Sequence, residues 1–190
     1  MPAGKIILLN GASSAGKSSL AQTLQQRLEE PFWHWSIDHL LAAGVLPRER
    51  IARGDFAWAA LRPAFFDGFH RSLAALATGG NHLIVEHIVE TQAWMDHLVE
   101  QLASFDVFFV GVHCPLPELE RRERERGDRR PGSALEDAAT THSFGEYDVE
   151  VDTTTPADEL AEGLLLAWRA RRRPGAFERM AARTRDRKAP

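Results

Sequence analysis

Cysteine is almost absent from this 190-residue sequence, which contains Cys114 and no other. One cysteine cannot form an intramolecular disulfide, and disulfides belong to oxidising compartments. The sequence also lacks any apolar run near the roughly 18 residues of a membrane-spanning helix, and its first residues lack the layout of a signal peptide. Lys5 leads directly into a short apolar segment instead. We therefore expect a cytoplasmic protein without a membrane segment.

The net charge is small, at -4, but it is unevenly distributed. Residues 169–190 contain nine Lys/Arg and two Asp/Glu, whereas the rest of the chain contains 14 and 25. A basic segment such as Arg169–Arg173 can contact nucleic acid, but blocks of like charge are usually solvated. The acidic remainder argues against a nucleic-acid partner. We therefore expect residues 173–190 to form a basic tail that follows a solvated helix end and is disordered.

Apolar segments alternate with amphipathic segments over residues 1–172, which is typical of one domain with a parallel sheet covered by helices. Strands are predicted at Ile6–Asn10, Trp33–Ile37, Leu83–Val85, Val107–Val112 and around Val149–Val151. Helices are predicted at Lys17–Leu28, Arg62–Ala77, Ala93–Ala103, Glu118–Arg126 and Pro156–Arg171, and loops at residues 43–56 and 127–133. This pattern indicates an α/β domain with a mostly parallel, five-stranded sheet.

The segment Gly11-Ala-Ser-Ser-Ala-Gly16-Lys17-Ser18 matches G-x-x-x-x-G-K-[ST] in full and lies between a predicted strand and a predicted helix. Glycines let consecutive backbone N–H groups point at phosphate oxygens, and the helix N-terminus adds its dipole. Lys17 is expected to reach the β- and γ-phosphates, and the Ser18 hydroxyl to bind Mg²⁺. The motif therefore predicts a nucleoside triphosphate site made of Gly11, Ala12, Ser13, Ser14, Ala15, Gly16, Lys17, Ser18 and Ser19.

This motif identifies a nucleotide and not a reaction, because motors, GTPases, ATPases and small-molecule kinases all contain it. No Asn-Lys-x-Asp motif for reading guanine is present, and the chain is short for a motor. A compact kinase with a lid is therefore the main interpretation. A nucleotide-dependent binding protein is the alternative from another class.

Asp38 follows the second predicted strand, which places it at the carboxyl edge of the sheet, where open α/β proteins bind ligands. Its carboxylate could accept the proton of an attacking hydroxyl during phosphoryl transfer. It could equally be the N-cap of a helix that begins at His39. Position alone leaves both interpretations open.

Glu86 and His87 end the third predicted strand. Glu86 resembles the acid of a Walker-B element, which orients the Mg²⁺ shell, although that acid is usually Asp. His87 either hydrogen-bonds substrate or packs in the interior.

Four aromatic residues farther upstream either stack on an aromatic substrate or, as their helical spacing favours, belong to the core; these are Trp58, Phe65, Phe66 and Phe69.

An arginine-rich segment extends from Arg121 to Arg129. Arg121 and Arg124 are expected to form i,i+4 ion pairs on a solvated helix. Arg126 and Arg129 flank Gly127, and there we expect contact with phosphate that neutralises the charge developing during transfer. The segment therefore predicts a lid near residues 126–135.

Together these residues resemble the chloramphenicol phosphotransferase family of P-loop kinases, over about Ile6 to Trp168. The resemblance rests on Leu9 to Ser18, on Ile37-Asp38-His39-Leu40, on the strand ending at Glu86, on Arg126-Gly-Asp-Arg129, and on His142 with Glu146-Tyr-Asp-Val-Glu-Val-Asp-Thr-Thr154. It implies a three-layer α/β/α P-loop fold of the nucleoside-monophosphate-kinase type. It also implies Asp38 as the catalytic base and the Arg-Gly-Asp-Arg segment as the lid.

The resemblance further implies transfer of the ATP γ-phosphate to a hydroxyl of a small molecule, which in the family enzyme is the primary alcohol of chloramphenicol. That enzyme has paired aspartates where this chain has Glu86 and His87, and residues 41–69 show little likeness. Kinases of a sugar acid or of a nucleoside-like metabolite therefore remain alternatives. The expected catalytic residues are Asp38, Lys17, Arg126 and Arg129, with Ser18 and Glu86 at Mg²⁺. A homo-oligomer is compatible with the sequence.

Overall fold

Five strands form one parallel sheet at the centre of the computed structural model, which describes residues 2–126 and 132–188. The strands are β1 (Lys5–Asn10), β2 (Phe32–Ser36), β3 (His82–His87), β4 (Asp106–His113) and β5 (Val149–Asp152). Their order is β2-β3-β1-β4-β5, and all four neighbouring pairs are parallel. The central position of β1 places the loop that follows it beside the carboxyl ends of both β3 and β4.

Helices connect the strands. They are α1 (Lys17–Arg27), α2 (Ile37–Ala42), α3 (Arg48–Ala52), α4 (Trp58–Thr78), α5 (Gln92–Leu102), α6 (Leu116–Arg126), α7 (Ser133–Thr140), α8 (Ala157–Ala170) and α9 (Ala176–Lys188). None of the helices within the described ranges is long and apolar enough to cross a membrane. The five predicted strands and five predicted helices are all present, with ends that differ from the predictions by a few residues.

The core has two halves because successive residues of a strand face opposite sides of the sheet. Ile7 and Leu9 of β1 pack in the half formed with α1 and α8. Ile6 and Leu8 pack in the other half, with α4, α5 and α9. Helices therefore cover both faces, which is the α/β/α architecture expected from the sequence.

Residues 43–56 were expected to be a loop, and the structure corrects this in part because they contain helix α3. This helix has only five residues, and its first three, Arg48 to Arg50, are charged and exposed, so it gives little signal in the sequence. The predicted lid near residues 126–135 stays a prediction, since residues 127–131 lie outside the described part. Within the predicted loop 127–133, Ser133 is the first residue of α7.

The expectation of a disordered C-terminal tail is wrong for the residues that form α9. Ala176 and Phe177 at the start of this helix are buried, Phe177 with 1% of its surface exposed. The Phe177 ring meets Phe109 of β4 edge-on, at 5.2 Å between ring centroids. Backbone and side-chain contacts with Asp148, which accepts from the Ala176 amide at 2.7 Å, fix the helix start. The start of α9 is thus part of the domain core.

Acidic groups on the body of the domain neutralise several arginines of this basic segment. Ion pairs join Arg169 to Glu29 at 2.7 Å and Arg171 to Asp106 at 2.5 Å. Arg179 pairs with Glu146 at 2.7 Å. These pairs balance part of the positive charge that the sequence concentrates in residues 169–190.

Asn10, the last residue of β1, is fully buried, and both the nitrogen and the oxygen of its side-chain amide form hydrogen bonds. Its Nδ2 group donates to the Thr141 carbonyl at 2.9 Å and to the Tyr147 hydroxyl at 2.8 Å. Its Oδ1 accepts from the Val89 amide at 2.9 Å. Asn10 therefore ties the end of β1 to the segment after β3 and to the chain between α7 and β5.

We predict that Phe177→Ala lowers the free energy of unfolding by about 3–5 kcal/mol, the usual cost of truncating a buried phenylalanine. Chemical denaturation measures this change. Arg185→Ala, on the exposed side of the same helix, is the matched control and should change stability by less than about 0.5 kcal/mol. Equal, small effects of both substitutions would show that α9 contributes nothing to the core.

Candidate active site

The predicted phosphate-binding loop connects β1 to α1 and has the backbone shape that phosphate binding needs. Ser14 and Gly16 have positive φ values of 62° and 85°, which curl the loop. At Gly11 a Cβ atom would lie 2.3 Å from the Val112 carbonyl oxygen of β4, so only glycine fits there. Of the nine predicted nucleotide-binding residues, those from Ser13 to Ser19 line a cleft of about 1030 Å³.

Lys17 is buried and its ammonium group folds back over this loop. Its Nζ atom donates to the carbonyl oxygens of Gly11 at 2.8 Å and Ala12 at 2.7 Å. The other two predicted nucleotide-binding residues, Gly11 and Ala12, therefore lie beneath the lysine. This arrangement holds a cation at the loop that is predicted to bind phosphate.

Ser18 and Glu86, the two predicted Mg²⁺ residues, are in direct contact. The Ser18 hydroxyl donates to Glu86 Oε2 at 2.7 Å, and His34 Nε2 lies 2.5 Å from Glu86 Oε1. Burial raises the pKa of the Glu86 carboxyl, but the hydrogen bonds from His34 and Ser18 and the charge of Lys17 outweigh burial and lower the pKa overall. The carboxylate is therefore ionised at neutral pH.

A magnesium ion fits these residues, because Mg²⁺ prefers hard oxygen donors such as a hydroxyl and a carboxylate. No cluster of three His, Cys, Asp or Glu side chains suited to a metal occurs in the described ranges 2–126 and 132–188. Mg²⁺ commonly binds through one or two protein groups together with water and substrate phosphates. Ser18 and Glu86 beside a phosphate loop match that pattern.

Asp38 lies in the first turn of α2 and lines the same cleft. The N-cap of α2 is Ser36, whose hydroxyl accepts from the His39 amide at 3.1 Å, so the alternative role of Asp38 as N-cap is wrong. The Asp38 carboxylate is about half exposed and lies 3.9 Å from the Arg126 guanidinium. The cleft thus brings Asp38 and Arg126 together with the phosphate loop.

Of the other predicted arginines, Arg129 lies outside the described residues, and Arg121 forms ion pairs with Glu118 and Glu125 as expected. Arg122 was not singled out in the sequence, yet it lines the cleft. Its guanidinium donates to the Thr153 carbonyl at 2.8 Å and to the Thr153 hydroxyl at 3.1 Å. Arg122 thereby joins α6 to residues 153–157, which also line the cleft after β5.

Apolar side chains of α2, α3 and α4 and of the loop between α2 and α3 form much of the cleft wall, and these are Leu41, Leu46, Ile51, Trp58 and Phe66. Phe69 belongs to the core, as its spacing predicted, whereas Phe66 and Trp58 reach the cleft.

Arg62 also lines this wall and donates to both carboxylate oxygens of Glu90, at 2.6 and 2.5 Å. Its guanidinium lies over the Phe66 ring, 4.8 Å from the centroid. The charge of Arg62 is thus already balanced within the protein.

His87 is buried, and both nitrogens of its ring have partners inside the protein. The Ile88 amide donates to His87 Nδ1 at 2.8 Å, and His87 Nε2 lies 2.7 Å from His70 Nε2. Burial lowers the pKa of His70 to about 4 and lowers that of His87 well below its usual value. Both rings are therefore neutral at pH 7. His87 packs in the interior and also lines the cleft, so the structure is compatible with both predicted roles.

One carboxylate of α7, that of Asp137, contacts the phosphate loop. The Ser13 amide donates to Asp137 Oδ2 at 3.0 Å. Glu123 of α6 fixes the start of the same helix, because its carboxylate accepts from the Gly132 and Ala134 amides at 2.8 and 2.9 Å. An anionic side chain therefore occupies a backbone donor of the predicted phosphate site.

This fold and this site together define a P-loop kinase-like protein. Among solved structures, the chain resembles the Mycobacterium tuberculosis APS kinase CysC in complex with AMPPNP and APS, with a TM-score of 0.65, 20% identity, and coverage of 89% of this chain and 99% of that one. It also resembles a gluconokinase from Sinorhizobium meliloti, with a TM-score of 0.60, 19% identity and 98% coverage of both chains. These likenesses show the fold.

The chain belongs to the chloramphenicol phosphotransferase-like family. The family described as "Chloramphenicol phosphotransferase-like protein" matches residues 4–169. A Mycobacterium tuberculosis protein, whose name as an O-phosphotransferase is provisional, is 35% identical over 210 residues, covering 96% of this chain and 90% of the relative. The resemblance inferred from the sequence is confirmed.

We predict that Asp137→Asn binds ATP about tenfold more tightly than the unmodified protein. A phosphate must displace the carboxylate from the Ser13 amide, a charge-assisted bond of about 1.5–3 kcal/mol, and tenfold corresponds to about 1.4 kcal/mol. Isothermal titration calorimetry measures the affinity. Glu136→Gln is the control, since it removes the same charge one residue away and leaves the Ser13 contact in place. Unchanged or weaker ATP binding by Asp137→Asn would contradict this interpretation.

Proposed function

We propose that the protein is an ATP-dependent O-phosphotransferase, which moves the γ-phosphate of ATP to a hydroxyl group of a small molecule. The observation that carries this proposal is that Asp38 and residues Ser13–Ser18 of the phosphate loop line one cleft. Transfer to a hydroxyl needs a bound triphosphate and a group that accepts the hydroxyl proton, and these two features supply both. Family membership and the kinase fold support the same reaction class.

In the proposed reaction, the acceptor oxygen forms a bond to the γ-phosphorus as the bond to the β,γ-bridging oxygen breaks, and ADP leaves. The Asp38 carboxylate takes the hydroxyl proton. Lys17 and the loop amides bind the β- and γ-phosphates, and Arg126 neutralises charge on the transferred group. Ser18 and Glu86 hold Mg²⁺, which neutralises phosphate charge when bound. Arg129, outside the described residues, remains proposed as a second lid arginine.

The acceptor that these surroundings favour is an uncharged alcohol with an apolar or aromatic part. Apolar side chains line the acceptor side, and Arg62 is bound to Glu90, so this guanidinium has its charge already matched. A sugar acid would need a cation for its carboxylate. Arg48 also lines the cleft, but it is exposed to solvent, and exposed ion pairs contribute little to binding. Chloramphenicol, which carries an aromatic ring, a primary alcohol and no charge, fits this description better than a sugar acid does.

The acceptor is tested by mass spectrometry after incubation with ATP, MgCl₂ and one candidate alcohol. We expect chloramphenicol to gain the mass of one phosphoryl group, and gluconate to remain unchanged. A nucleoside such as uridine, which is also neutral, tests the metabolite alternative. Phosphorylated gluconate without phosphorylated chloramphenicol would contradict the argument from Arg62. ATP binding without any phosphorylated product across a broad panel of alcohols would favour the nucleotide-dependent binding protein instead.

We predict that Asp38→Asn lowers the rate of phosphoryl transfer by about 10²- to 10⁴-fold, the usual contribution of general-base catalysis. The ATP dissociation constant should change little, because Asp38 acts on the acceptor hydroxyl. Transfer to any accepted substrate and calorimetric ATP binding are measured on the same preparation. Asp186→Asn removes a carboxylate on α9 and serves as the control. An Asp38→Asn variant with full activity would rule out this residue as the base.

A further inference from the structure

Glu86 is one methylene longer than the aspartate that usually ends this strand in P-loop proteins. The longer side chain has an additional rotatable bond, so its carboxylate can take more positions than that of aspartate. A carboxylate that is to hold a metal shell must keep one position. Glu86 therefore needs an anchor that an aspartate at this position would not need.

The sheet places an imidazole beside this carboxylate. In the parallel register of β2 and β3, His34 is aligned with Ile84, and Ser36 with Glu86. Residues two apart on a strand share a face, so His34 and Glu86 are diagonal neighbours on one face. Ile84 packs on this face with Leu20 of α1, the helix that also carries Ser18. Three neighbouring elements thus bring His34, Glu86 and Ser18 into a row.

Each oxygen of the Glu86 carboxylate has one of these residues as its partner. Oε1 lies 2.5 Å from His34 Nε2, and Oε2 accepts from the Ser18 hydroxyl at 2.7 Å. An ionised carboxylate only accepts hydrogen bonds, so His34 Nε2 carries the hydrogen and donates it. The side chains of His34 and Glu86 are 8% and 10% exposed, so water competes little for this bond. A carboxylate has about four acceptor positions, which leaves some for a metal-bound water.

We propose that His34 is a positioning residue, which holds the Glu86 carboxylate where it supports magnesium next to Ser18. His34 acts through Glu86 and touches neither nucleotide nor acceptor. The inference rests on the proposed function, because it takes Ser18 and Glu86 as the residues that hold Mg²⁺. The hydrogen bond from the imidazole restricts the Glu86 carboxylate to one position, whereas the shorter side chain of an aspartate would be restricted without it.

The test compares ATP binding in excess MgCl₂ with ATP binding in EDTA, by isothermal titration calorimetry, for the unmodified protein, His34→Leu and His34→Gln. We expect magnesium to strengthen ATP binding by the unmodified protein. His34→Leu should lose about tenfold or more of this gain, which is the usual effect of removing an outer-shell partner of a metal ligand. His34→Gln should keep most of it, because its Nε2 donor is as many bonds from the Cα atom as that of histidine.

Affinity in EDTA should be the same for all three proteins, which shows that the phosphate loop is intact in each. Retention of the full magnesium gain by His34→Leu would overturn the positioning role while leaving the metal assignment standing. Loss of the gain by both variants with unchanged EDTA affinity, or weakened binding in EDTA, would also overturn it, since the donor would not be the cause. The absence of any magnesium gain in the unmodified protein would instead overturn the assignment of Ser18 and Glu86 on which the inference rests.

Discussion

The hydrogen bonds of one buried amide, Asn10, fix the geometry on which the site depends. This residue immediately precedes the phosphate loop, and it is bonded to the Val89 amide, the Thr141 carbonyl and the Tyr147 hydroxyl. Leaving such buried groups unpaired costs about 1–3 kcal/mol each, so the three segments are held at defined distances from Gly11. The loop that reaches the nucleotide therefore starts from a rigid point.

The partners of Asn10 belong to a small hydrogen-bond network that extends from the sheet to the end of α7. Burial raises the pKa of Tyr147 to about 12, so its hydroxyl keeps its proton at neutral pH. That hydroxyl lies 2.7 Å from Nδ1 of His142, whose own pKa burial lowers to about 4. Thr141, the C-cap of α7, follows Asp137 by one helical turn. The same bonds that hold the phosphate loop thus hold the helix whose carboxylate meets the Ser13 amide.

The fold and the position of the predicted phosphate loop in the cleft could be predicted from the sequence because their signals are local. The strands are short apolar runs, and the phosphate loop is a contiguous motif that ends at Ser18. Asp38 and Glu86 were identified because each ends a strand, and the ends of parallel strands meet at one edge of the sheet. In each case neighbouring residues along the chain carry the whole pattern.

The remaining features arise from contacts between distant segments, which sequence patterns do not record. His34 contacts Glu86 only because β2 lies beside β3 in a particular register, so its role could not be predicted from the sequence. Arg121 and Arg122 are adjacent and chemically identical, and only the rotation of α6 directs one to solvent and the other to Thr153. Phe177 is a single aromatic residue within a charged segment, so its burial on β4 left no periodic signal.

The pairing of Arg62 with Glu90 bears on how the charge of this cleft could change during evolution. The guanidinium already lies in the cleft, stacked on Phe66 and Trp94 and fully assembled for recognition of an anion. Its charge is balanced by one carboxylate on the segment after β3 and not by the sheet or the core. Replacement of that one side chain would leave the core packing unchanged and leave an unbalanced cation in the cleft. The charge of this cleft can therefore be changed by a single codon.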